Sequence, residues 1–209
     1  MELLSLIIIF VAGIIASSFG TLTGGASLLT IPLLIFLGLP ASVAIGTNRA
    51  GLLGQTIAGW YEFDKKHLIN YKIGWSLAIP AVIGAIVGAN LVLKIDESIL
   101  EKIIVAFTLI ILIFIIFEPD IGLKSKKQVI RKKEYLIGMA LSFFLGIYGG
   151  FYGANMGTFF SYMLILLFGQ NFIQSAATRK VASFLIAMVA FSIFAYNGVV
   201  IYTVACDVL

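Results

Sequence analysis

The sequence predicts an all-α, polytopic integral membrane protein built from two duplicated helical halves. Three observations predict it. Hydrophobic residues make up 61% of the chain and charged residues only 11%, whereas a soluble domain carries about a quarter charged residues. Leu3 to Asn48, Ile73 to Leu93, Leu136 to Thr178 and Val181 to Cys206 contain no Asp, Glu, Lys or Arg, and one spanning helix needs about 20 apolar residues. The third is an internal echo. Gly38-Leu39-Pro40-Ala41-Ser42-Val43-Ala44-Ile45-Gly46-Thr47-Asn48-Arg49 is answered 131 positions later by Gly169-Gln170-Asn171-Phe172-Ile173-Gln174-Ser175-Ala176-Ala177-Thr178-Arg179-Lys180. The same offset pairs Phe63 with Phe194 and Tyr71 with Tyr202. The alternating strands of an outer-membrane barrel are absent.

Taken in order, Leu3 to Phe19 is a first helix, retained rather than cleaved because it lacks a basic leader and runs into more membrane sequence. Gly20 to Gly25 interrupts it. Ala26 to Leu37, containing Pro32, is too short at about 18 Å to cross a hydrocarbon core of about 30 Å. After the break at Gly38 and Pro40, Ser42 to Tyr61 forms a third segment. Trp60, Tyr61, Tyr71 and Trp75 flank a loop with Lys65, Lys66, His67 and Lys72, an aromatic girdle of the kind that marks an interface. Ile73 to Leu93 is a fourth helix, kinked at Pro80, whose Gly84 and Gly88 form a close-packing face. Lys94 to Lys102 reads as a turn, and a fifth helix runs from Ile103, or from near Ile99, to Phe117.

The basic stretch 118–134 divides the chain into a first transmembrane repeat, 1–117, and a second, 135–209. Its lysines place it in the cytoplasm. In the second half a helix from Leu136 enters the glycine run Gly149 to Gly157, followed by the short Thr158 to Phe168. A further helix, Val181 to Tyr196, is expected after Thr178-Arg179-Lys180. Extending the offset past Phe117 predicts that the second repeat is truncated by roughly 40 residues. Odd spacing of crossings makes the halves inverted repeats with broken helices, a common transporter plan; re-entrant short segments would make them parallel.

Depth sorts the charges. All ten carboxylates fall in loops or at segment ends, whereas Arg49, Arg179 and Lys180 interrupt apolar repeats. Intramembrane charge is costly and usually functional, and cations without a nearby acid suit an anionic ligand. Snorkelling to an interface is the alternative for Arg49. Thr47 and Thr178 are candidates to cap the helices that follow and to offer hydroxyls to the anion, and Asn48 and Asn155 could add hydrogen bonds. Gly20, Gly24, Gly25, Gly149, Gly153 and Gly157 have two readings: close helix packing, or unwound backbone approaching the anion. The net charge of +4 is explained by cytoplasmic loops, so no nucleic-acid partner is expected. Lone Cys206 and the absence of HExxH, paired carboxylates or a Ser/His set give no metal, cofactor or catalytic residue. His67 is a solvated rim residue, and the chain is not expected to be an enzyme.

The glycine-rich stretch, the short Leu-rich segment with Pro32, Ala44-x-Gly46-Thr47-Asn48-Arg49 and Ala176-Ala177-Thr178-Arg179-Lys180 resemble the sulfite exporter TauE/SafE family, also called the TSUP permeases. The first glycine cluster, Thr23-Gly24-Gly25-Ala26, is thinner than that family's pattern. The resemblance implies a multi-pass permease of the cytoplasmic (inner) membrane of a bacterium or archaeon, moving sulfite, sulfonates, sulfoacetate or other small anions. The expected partners are that anion and the lipid bilayer, with room for a homo-oligomer. An anion channel with the same site, or a membrane subunit that transports nothing, are the alternatives.

Overall fold

The computed structural model describes residues 3–116 and 131–202, and every element there is helical. In chain order these are α1 (Leu3–Thr23), α2 (Ser27–Phe36), α3 (Ala41–Lys65), α4 (Tyr71–Val92), α5 (Glu97–Ile116), α6 (Lys132–Phe151), α7 (Met156–Phe168) and α8 (Phe172–Tyr196). Three of them, α4, α6 and α8, are long and apolar enough to cross a membrane. The outer surface of the helices is apolar too: Phe36 at the end of α2 is 93% exposed and Leu136 of α6 71%, positions that suit lipid and not water. The linker residues 117–130 lie outside the described residues.

Several boundaries differ from the sequence expectation. Helix α1 continues through Gly20, because Gly20 packs against Ala26 and Gln55 rather than breaking the chain. The break falls at Gly24, whose φ of 84° favours a residue without a side chain. Thr47 and Thr178 do not cap helices. Helix α3 starts after Pro40 and α8 after Asn171, so the Thr-Asn-Arg and Thr-Arg-Lys triplets lie in the second and third turns. Asn171 caps α8 itself, accepting from the Gln174 N–H at 2.8 Å, and Gln174 answers to the Asn171 N–H at 3.3 Å. Helix α5 begins at Glu97, two residues before Ile99 and six before Ile103, the two expected starts. The Glu97 carboxylate accepts from the Ser42 N–H at 3.2 Å and from its hydroxyl. A negative group thereby meets the positive end of α3.

The two halves interlock. Ile201, just past the end of α8, donates its N–H to the Thr47 hydroxyl at 3.1 Å, and Asn70, just past the end of α3, donates to the Thr178 hydroxyl at 3.2 Å. Each helix start therefore lies beside the other helix's end, and α3 and α8 run antiparallel. The donors are 131 positions apart, as are the acceptors. Helices α4 and α6 approach most closely, through glycine: a Cβ on Gly150 or on Gly146 would come within 2.7 Å of the Cα of Ala85 or Ala81. Gly84 and Gly88 face the α6 backbone near Phe143 and Ile147, as their spacing predicted. At one end, Trp60, Tyr71 and Asp64 form a chain of hydrogen bonds, from Trp60 Nε1 to Tyr71 OH at 3.0 Å and from Tyr71 OH to Asp64 at 2.7 Å.

Candidate functional site

The breaks of the two halves meet. Gly24, between α1 and α2, packs directly on Gly157 in the first turn of α7. The Thr158 hydroxyl lies 2.6 Å from both the Thr23 carbonyl and Asn155 Oδ1. Glycine is required at this junction: a Cβ on Gly24 would also come within 2.9 Å of Arg179 Nη1. Asn155 takes the left-handed conformation at φ 57°, turning the chain between α6 and α7. The sequence candidates Gly24, Gly25, Gly153 and Gly157 thus sit at the junction, whereas Gly20 and Gly149 lie within helices and pack, Gly20 also lining the cavity described below.

All three of the cations singled out by the sequence reach this junction and are buried, with Arg49 1%, Arg179 3% and Lys180 1% exposed. Arg49 Nη2 donates to the carbonyls of Gly150 (3.2 Å), Tyr152 (3.3 Å) and Phe151 (3.5 Å), at the C-terminal end of α6. Arg179 Nη2 donates to those of Leu22 (2.7 Å) and Thr21 (3.2 Å), at the C-terminal end of α1. Broken helices leave carbonyls without intrahelical donors and a partial negative charge, which a guanidinium offsets. Each arginine grips the other half. Both Nε atoms are buried without a partner. Among the described residues no carboxylate pairs with any of the three, the one ion pair being Lys65 with Glu62 at the rim.

The cations line a single cavity of about 40 Å³, together with Leu52, Gln55, Thr56, Met156, Ser183, Ile186, Ala187 and glycines of both breaks. That is room for more than one water, or for a compact ion. Four pairs of lining residues are 131 positions apart: Arg49 and Lys180, Leu52 and Ser183, Gln55 and Ile186, Thr56 and Ala187. Equivalent faces of α3 and α8 thus look into the same space. The matched cations face it in register, although by their carbonyl partners it is Arg49 and Arg179 that correspond.

Other candidates lie outside the lining. Asn48 binds α2 of its own half, its Nδ2 donating to Ser27 Oγ at 2.9 Å and its Oδ1 accepting from Thr30 Oγ1 at 2.5 Å. Thr47 and Thr178 form the interlocking bonds described above. Asn155 sits beside Gly25 with its Nδ2 buried and unpartnered. Gln55, Thr56 and Ser183 escaped the sequence reading. Helical spacing of three and seven from the matched cations would have found Thr56 and Ser183.

A family model described as sulfite exporter TauE/SafE matches residues 9–208. The chain is 32% identical to a protein named as a probable membrane transporter from Haemophilus influenzae, over 95% of this chain and 77% of that one. It is 27% identical to the probable membrane transporter ORF9 of a Sinorhizobium species, over 94% of this chain and 74% of the relative. To the probable membrane transporter YfcA of Escherichia coli K12 it is 24% identical, over 93% and 72%. No solved structure matches.

Proposed function

The chain belongs to the sulfite exporter TauE/SafE family of membrane transporters, and from that premise we propose that it is a secondary carrier of small anions. Sulfite and small sulfonates are the substrates that fit best. One observation carries this reading: three buried cations converge on one cavity where two broken helices meet, with no acid lining it. A buried cation without a counterion is costly, and a bound oxyanion relieves that cost through charge-assisted hydrogen bonds. The first turn of α7 adds its positive end. A cavity of about 40 Å³ favours a compact oxyanion over a long organic chain.

We read the halves as inverted repeats, a reading supported by the antiparallel α3 and α8 and by their reciprocal threonine bonds. Alternating access would then rock one half against the other around the shared cavity. The test is flux of radiolabelled sulfite into proteoliposomes. Arg49→Gln and Lys180→Gln each abolish or strongly reduce it, while Lys127→Gln in the linker leaves it near wild type. Wild-type flux in both site variants would refute the anion site. Counterflow separates a carrier, which shows trans-stimulation, from a channel, which does not.

A further inference from the structure

Each cation of the cavity has glycine beside its charged end. Arg49 Nη1 lies against Gly153, and Arg179 lies against Gly24 and Gly157. Those glycines are explained by the breaks they occupy. The glycine beside Lys180 is not. It is Gly59, buried inside α3 and six residues before that helix ends, where a Cβ would come within 2.7 Å of both Cε and Nζ of Lys180. Glycine in a helix interior is about 1 kcal/mol less favourable than alanine, so this position gives up helix stability for room. Its neighbour also sets it apart from Gly84, Gly88, Gly146 and Gly150, which admit the backbone of another helix. Gly59 admits the end of a charged side chain.

Lys180 also differs from the arginines in what it touches. Arg49 and Arg179 hold helix carbonyls through Nη2. No hydrogen bond to Lys180 Nζ forms among the described residues, although the side chain is 1% exposed and lines the cavity. An ammonium carries three donors on a flexible stem, and here all three are left for a ligand. We propose that Gly59 is a positioning residue of the anion site, seating Lys180 so that its ammonium binds the anion while the two arginines hold the helix breaks in place. This rests on the anion-carrier reading.

The geometry makes the proposal separable from folding. In Gly59→Ala the atoms that must move are the far end of a flexible side chain, so the backbone is kept while Lys180 is displaced. The test is equilibrium binding of radiolabelled sulfite to the detergent-purified full chain, with thermal stability measured on the same samples. Gly59→Ala is expected to weaken binding at least tenfold with a melting temperature no lower than wild type. Lys180→Gln weakens it as much or more, and adding Gly59→Ala to Lys180→Gln produces no further loss, because there is no ammonium left to seat. Wild-type affinity in Gly59→Ala, or additive losses in the double variant, would overturn the proposal while leaving the anion site standing. If the wild-type protein shows no saturable binding of sulfite, sulfate or methanesulfonate, the anion site itself fails and this proposal with it. Should Gly59→Ala lose stability, Gly59→Ser supplies a second small substituent at the same place, and the same double-variant comparison with Lys180→Gln decides.

Discussion

Arginine and lysine are not equivalent at this site. A guanidinium is a planar fork that can serve several acceptors at once, whereas an ammonium is a point charge. Arg49 reaches three carbonyls at the end of α6 and Arg179 two at the end of α1. Replacing either by lysine keeps the charge but loses the fork, and hydrogen bonds to charged groups are worth about 1.5–3 kcal/mol each. Arg49→Lys and Arg179→Lys should therefore lower thermal stability as well as sulfite flux. Lys180→Arg, whose position holds no carbonyl, loses no such contact and should cost less stability than either. Equal stability losses in all three variants would mean that the carbonyl contacts are incidental.

At the scale of elements, glycines do two kinds of work that substitution can separate. Gly146 and Gly150 of α6 lie against the Cα atoms of Ala81 and Ala85, so any side chain there pushes backbone against backbone. Gly150→Val should cost about 1–3 kcal/mol or more by overpacking, visible as a lower unfolding temperature and reduced yield in membranes. Gly38, at φ 90°, has nothing within 4 Å of a would-be Cβ. Its substitution by Ala costs only the left-handed backbone strain, about 1–2 kcal/mol, and should be milder. A larger loss at Gly38 than at Gly150 would contradict the close approach of α4 and α6.

For the whole molecule, the orientation of the halves is the property to test. Asn70 meets Thr178 near the start of α8, so that helix begins at the membrane face where α3 ends, beside the basic loop of Lys65 and Lys66. Helix α3 begins at the opposite face, after Pro40. Basic loops remain in the cytoplasm. In a Cys206→Ser background, an impermeant thiol reagent applied to intact cells should label Pro40→Cys and miss Ile173→Cys and Lys65→Cys. Labelling of positions 40 and 173 from the same side would contradict inverted halves.

Composition and charge-free runs determined the membrane class, since lipid selects apolar length directly and no long-range contact is needed to read it. The matched pattern at an offset of 131 residues was also legible, because it lies in the chain itself, and it pointed to Arg49 and Lys180. Boundaries were less legible. The polar triplets looked like helix starts, yet they lie one to two turns inside α3 and α8, because tertiary partners on other elements satisfy groups that local sequence would assign to caps. Only the tertiary structure decided what each cation touches. Arg179 corresponds to Asn48 in the offset but to Arg49 in its role, since each guanidinium follows the nearest helix end, and those ends are brought together by packing between halves. The seat of Lys180 at Gly59 was hidden for the same reason: α3 and α8 are distant in sequence, and the space between them exists only when they are packed.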